Sequence, residues 1–267
     1  MSHDYTSLDL TPYANAGLGD LGDRRPPPIG PQRFHGLPFA IGNGDPAACC
    51  FLLLGGDDRA SRAIPVNRKA TYLIFAHRLL ESRLHQGGPV GEHIADYVVA
   101  YRDGGTERLA VRERFEIAEV PTAWGQVPFL ALPDHEDSLW ARYEGKWSNA
   151  GNRQTEGTQA WPSGYYLWPW PNPHPEREIA SVEIVPSGPR FLLAAITLSD
   201  LDEEPFRRGG PRDVKIILPQ EADARRPFAL DVTVDRGLAT YSYALPEASA
   251  PAFLEDAMRG WGEAQNG

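Results

Sequence analysis

Hydrophobic and polar positions alternate with a period of two over much of this chain, the spacing that puts successive side chains on opposite faces of a strand. From Phe34 onward, "FHGLPFAI" alternates, "AACCFLLLG" is continuously apolar, and "AIPVN" and "TYLIFAH" follow. An uninterrupted apolar run suits a strand buried on both faces. The segment "HIADYVVAYRDGGTERLAVRERFEI" predicts a hairpin: Tyr97–Tyr101 and Glu107–Val111 alternate, and Asp103-Gly104-Gly105 supplies the positive-φ residues that a tight connection needs. After a polar stretch from Pro133 to Gly164, read as a long loop with a short helix near Leu139, come "YYLWPW", "IASVEIV" and "FLLAAITL". Many short strands joined by turn-sized gaps, with no helix-period run between them, predict an all-β protein: an antiparallel two-sheet β-sandwich, jelly-roll-like, over residues 31–200. Residues 1–30, rich in turn formers, read as an extended wrapping segment with one short strand near Leu8. Residues 201–267 read as a linker and a small β/helical extension, "DVKIIL", "FALDVTV", "ATYSYAL" and "PAFLEDAMRGW", the start of a following domain in a longer polypeptide.

Composition narrows the function classes. The chain has 267 residues, 42% of them hydrophobic, and no apolar run of membrane-spanning length, so a sizeable core and no membrane span are expected. Its 25 prolines and 26 glycines fit frequent turns. A net charge of -10 argues against nucleic acid or an anionic membrane as partner, because both need an excess of Lys and Arg. "MSHDYTSLDL" has neither a basic nor an apolar leader region, which makes a cytoplasmic location the expectation. The two cysteines, Cys49 and Cys50, are adjacent; on a strand they point to opposite faces and stay free thiols.

Several stretches in order, "LDLTPYANAGLGD", "FHGLPFAIGN", "ATYLIFAH", "GEHIADYVVAYRDGG", "YYLWPWPNPHPEREIASVEI" and "FLLAAITL", resemble a bacterial jelly-roll accessory domain of the carbohydrate-binding type, found beside glycoside hydrolases and other hydrolase domains. The likeness is one of pattern and order and covers most of Leu8 to Leu198. It implies a noncatalytic module that binds a glycan or sugar ligand, or orients a neighbouring catalytic domain. The alternatives are a stand-alone sugar-active hydrolase using loop carboxylates and a structural protein–protein interaction module.

Sugar recognition needs flat aromatic faces for the C–H face of a pyranose and polar groups for its hydroxyls. In "YYLWPW", Tyr166 and Trp168 share one face and Tyr165 and Leu167 the other, and one set must be core. The prolines of "WPNP" punctuate the strand, Asn172 caps the turn, and Tyr166 and Trp168 are expected in the core. Trp140, Trp147 and Trp161 are expected to be exposed; with Trp170, for which core or corner is the favoured alternative, and with Glu136 and Asn152, they form the candidate carbohydrate-binding set. Carboxylates for glycosidic chemistry are available at Asp134, Glu136, Asp137, Glu92 and Asp96, but no spacing in sequence brings a pair together. The histidines are scattered, with no metal-ligand spacing, and His77 reads as a buried, hydrogen-bonded strand residue. No cofactor is expected. A structural calcium at Asn43 and Asp45 lacks the spaced oxygen ligands of a recognisable loop. Gly17, Gly19 and Gly22 match a dinucleotide fingerprint, but "DRRPPP" cannot open the helix that such a site needs. A serine nucleophile elbow is absent, so acyl transfer has no support from motifs.

Overall fold

Alternation becomes sheet wherever turn residues let the chain reverse. The computed structural model describes residues 4–122, 126–135 and 162–206, together with Glu255. The chain divides into two units, one of residues 1–137 and 158–210, the other of 138–157 and 211–267. Of the second, only Glu255 is described, and it is helical and exposed.

The first unit contains twelve strands among its described residues: β1 (Tyr5–Ser7), β2 (Gly30–Phe34), β3 (Leu37–Ile41), β4 (Leu52–Leu54), β5 (Arg62–Arg68), β6 (Tyr72–Leu79), β7 (His93–Tyr101), β8 (Thr106–Arg112), β9 (Leu132–Pro133), β10 (Tyr166–Pro171), β11 (Ile179–Pro186) and β12 (Phe191–Ser199). The larger sheet runs β1-β12-β6-β10-β9, with β4 on β12 beyond the end of β1. The smaller runs β5-β11-β7-β8, and β2 and β3 form a separate hairpin. Every strand pair is antiparallel. The protein is thus an all-β, two-sheet antiparallel sandwich, and the described residues contain no helix long and apolar enough to cross a membrane.

Two cores explain the two sequence patterns. Leu73, Phe75, Leu79, Tyr166, Trp168, Ile196 and Leu198 of the larger sheet meet Ile64, Val66, Tyr97, Val99, Val111, Val182 and Ile184 of the smaller. On the other face of the larger sheet, Ile74, Ala76, Tyr165, Leu167, Leu192 and Ala194 pack beneath Phe34, Leu37, Phe39 and Ile41 of the β2–β3 hairpin, joined by Phe51 and Phe206. The larger sheet is therefore covered on both sides, and every residue of β12 is buried. This is why "FLLAAITL" is apolar without alternation, whereas β5, β8 and β11 of the half-exposed sheet alternate.

Local chemistry sets the ends. In the β7–β8 turn Gly104 takes φ +93° and donates to Tyr101 O at 3.0 Å, while Gly105 N–H bonds Asp103 Oδ1 at 3.1 Å. The positive φ belongs to Gly104, and Asp103 contributes its side chain instead. Cys49 and Cys50 are free thiols, but they precede β4 rather than lie in it; Cys50 is buried and Cys49 exposed.

Candidate functional site

The expected site residues separate into three groups. Trp168 is buried, stacked on Phe75 at 5.5 Å and on His77 at 6.2 Å, so it belongs to the core as expected. Tyr166 lies beside it, its hydroxyl bonded to Thr122. One of the two faces had to be core, and both are: Tyr165 is fully buried under the β2–β3 layer and donates to Pro28 O at 2.7 Å, and Leu167 is buried with it. Trp170 is half-buried against the inter-sheet core. Glu136, Asp137, Trp140, Trp147, Asn152 and Trp161 lie outside the described residues.

The corner and histidine readings acquire geometry. Asn172 is buried, donates to Ala70 O (2.8 Å) and His174 O (3.1 Å), and accepts from Tyr101 Oη (2.5 Å) and His174 N (3.0 Å). His77 is fully buried, bonding Tyr97 Oη at 2.9 Å and Glu116 O at 2.8 Å, and burial lowers its pKa to about 4. Both are structural groups.

Asp134, a candidate loop acid, is instead a buried clasp. Its carboxylate accepts the N–H groups of Ser163 (2.6 Å), Gly164 (2.9 Å) and Tyr165 (3.0 Å). Burial pushes its pKa up, and the three amide donors oppose that rise. Glu92 is paired with Arg83, and Asp96 with Arg108 at 2.6 Å. Asn43 and Asp45 cap their own turn, each side-chain oxygen accepting an amide two residues on. Gly17 opens a three-residue 3-10 turn, not a helix. Among the described residues no three His, Cys, Asp or Glu side chains converge to hold a metal.

What does converge lies at the end of the sandwich where β6 leads to β7 and β8 to β9. The sequence "RERFEI" turns tightly there: the N–H groups of Phe115 and Glu116 both bond Arg112 O at 3.1 Å, and Arg114 N–H bonds Ile117 O at 2.9 Å. Arg114 sits at φ +72°, an uncommon conformation for a residue with a Cβ. Glu116, buried, holds the turn shut by accepting the Arg112 amide (2.8 Å) and guanidinium (2.7 Å). The next segment is tied on by Phe129 N–H to Arg114 O and Leu130 N–H to Phe115 O, both at 2.8 Å.

This scaffold presents an aromatic tip. Phe129 is 58% exposed, its ring edge-on to Phe115 with centroids 5.5 Å apart. The Arg112 guanidinium lies 4.4 Å from the Phe115 centroid and that of Arg114 5.1 Å from Phe129. Among the described residues the three exposed large hydrophobic residues, Val90, Phe129 and Leu130, belong to the loops of this end. The segment that carries Phe115 also contributes Glu113 to a recess with room for about one water, lined by Ser82, Glu119, Thr122 and Gln126 among others. Glu113 is buried, and burial, with the like charge of Glu119, pushes its carboxyl up while a Ser82 hydrogen bond pulls it down. The recess is too small for a glycosidic bond with flanking carboxylates. Its polar lining can offer hydrogen bonds.

The fold and this end define the chain as an antiparallel β-sandwich with an aromatic and acidic loop edge. No protein-family model, curated protein or solved structure matches it. The sequence reading missed Phe115, Phe129, Glu113 and Glu119. A usable signal was "RERFEI", where the period of two that runs through β8 ends among charges, and "VPFLALP", an apolar run too proline-bound for a central strand.

Proposed function

We propose that the sandwich is a glycan-binding module and that the Phe115–Phe129 tip is a contact surface for the sugar. The observation that carries this reading is the 58% exposed Phe129 ring, held edge-on to Phe115 on the same turn that carries the carboxyl of Glu113, since an aromatic face with polar groups near it is what recognises an apolar pyranose face and its hydroxyls. The turn that presents Phe115 is held by Glu116, so its shape is set before binding and little ordering is lost on contact. Among the described residues the recess does not accommodate a scissile bond between two carboxylates, which favours binding over glycoside hydrolysis.

Isothermal titration of a panel of neutral oligosaccharides tests this. Phe129→Ala is expected to weaken the best ligand about fivefold, about 1 kcal/mol, with an unchanged melting temperature. Unchanged affinity in Phe129→Ala would overturn the role of the tip, and no binding across the panel would overturn the glycan reading. One observation favours a second reading, docking of a neighbouring protein domain: each ring already carries a guanidinium, and aromatic and Arg side chains are the usual anchors of protein interfaces.

A further inference from the structure

In a regular strand, residues three apart point to opposite faces. His93 and Asp96 of β7 nevertheless meet, His93 Nε2 lying 3.1 Å from Asp96 Oδ1. The cause is a register shift between His93 and Ala95 against β8, which inserts one residue and leaves the consecutive Ile94 and Ala95 both buried. Bulges of this kind re-aim side chains and are over-represented next to active sites. The same bulge positions a third group: Ile94 O accepts the Ser187 N–H at 2.9 Å, which fixes the segment after β11 and sets Ser187 Oγ 2.9 Å from His93 Nδ1.

Proton placement follows from the partners. Asp96 accepts from Arg108 at 2.6 Å through one oxygen and lies against His93 Nε2 with the other, the arrangement in which a carboxylate accepts from an Nε2–H. In the neutral ring with that tautomer Nδ1 holds the lone pair and can accept from the Ser187 hydroxyl. Nucleophile, base and orienting carboxylate are thus in series, with the two ring nitrogens exchanged relative to the usual serine triad. The chemistry depends on the lone pair facing the hydroxyl, not on which nitrogen bears it. The imidazole is 44% exposed, so a substrate can reach it. The Arg59 guanidinium bonds the Ser187 carbonyl oxygen at 3.3 Å and so ties the segment that carries the nucleophile.

We propose that Ser187, His93 and Asp96 form an acyl-transfer centre that hydrolyses carboxylic esters of small acyl groups, such as acetyl esters of exposed hydroxyls. Ser187 Oγ bonds to the ester carbonyl carbon while its proton passes to His93 Nδ1. The C–O bond to the alcohol breaks as that oxygen takes the proton from His93. Water, deprotonated by His93, then attacks the acyl-serine, releasing the carboxylic acid and returning the proton to Ser187 Oγ. Among the described residues no acyl pocket adjoins Ser187, so a small acyl group, which needs none, is the substrate the open setting fits. Asp96 is a positioning residue that acts through His93. The centre lies at the same end of the sandwich as the aromatic tip, since His93 pairs with Arg112 and Arg112 covers Phe115. It does not depend on the glycan reading.

The test is a fluorophosphonate probe on the whole chain, with peptide mapping by mass spectrometry, and hydrolysis of 4-nitrophenyl acetate. The expected result is phosphonylation at Ser187 and at least a tenfold loss of hydrolysis in Ser187→Ala and in His93→Gln, with melting temperatures unchanged. Asp96→Asn is expected to slow labelling, and Asp96→Glu to restore part of the rate. Wild-type protein that is not labelled at Ser187, or hydrolysis that survives in Ser187→Ala, overturns the proposal whether or not any glycan binds.

Discussion

His77 shows how one buried group couples the core to pH. Its two partners hold it neutral inside the sandwich, where burial lowers its pKa from 6.5 to about 4. The unfolded chain binds a proton there at higher pH than the folded one, so the stability contribution is complete above pH 6.5 and is lost as pH falls from 6.5 through 4. The loss is about 3 kcal/mol at its limit. Other buried groups titrate as well, so the expected signature is differential: urea midpoints of wild type should fall more steeply between pH 7.5 and 4 than those of His77→Gln. Equal slopes would mean that the imidazole is not buried neutral. Asn172 is the other residue whose removal should be costly. Four hydrogen bonds converge on its amide, and Asn172→Ala is expected to lose about 2–3 kcal/mol in chemical denaturation, because buried partners are left unsatisfied. The capping role of Asn172 was legible in "WPNP", but the Tyr101 partner, 71 residues away, was not.

Turns and clasps fix the elements in register, and glycines test them. Gly104 has open space around the position of a Cβ, so Gly104→Ala carries only the cost of a positive φ, about 1–2 kcal/mol. Gly55, at φ +88°, faces the Pro189 carbonyl, and an added methyl collides with backbone on the β11–β12 connection. Gly55→Ala should therefore destabilise more than Gly104→Ala, and thermal melts of the two variants rank them. At this scale the sequence was most readable where a strand has one wet face: β7 and β8 lie within the alternating segments around Asp103-Gly104-Gly105. It was least readable where an element is defined by a partner. β9 is two residues that exist as strand because Leu132 and Pro133 pair with β10, and the bulge of β7 has no pattern of its own beyond the adjacent apolar pair Ile94 and Ala95.

At the scale of the molecule, one ion pair links the N-terminal segment to the middle layer. Arg78 on β6 is 2% exposed and bonds Asp23 at 2.5 Å, with its Nε unpartnered. Removing Asp23 leaves a buried guanidinium without its counter-charge, so Asp23→Ala is expected to cost about 3 kcal/mol. Adding Arg78→Met to that variant should recover most of the loss, since an apolar side chain needs no partner there. If the double variant is as unstable as Asp23→Ala, desolvation of Arg78 is not the cause.

The sequence alone determined the all-β class and the antiparallel sandwich, because a period of two and frequent turns are local properties that each strand expresses independently of its neighbours. It also placed Trp168 and His77 in the core, since large rings on alternating strands have few other places to go. Only the tertiary structure decided that the larger sheet is covered on both faces, that Asp134 is a clasp rather than a free acid, and that Phe115 joins Phe129 and His93 joins Ser187. Those outcomes depend on contacts between residues far apart in the chain, and closure of the sheets, not any local preference, brings such residues together.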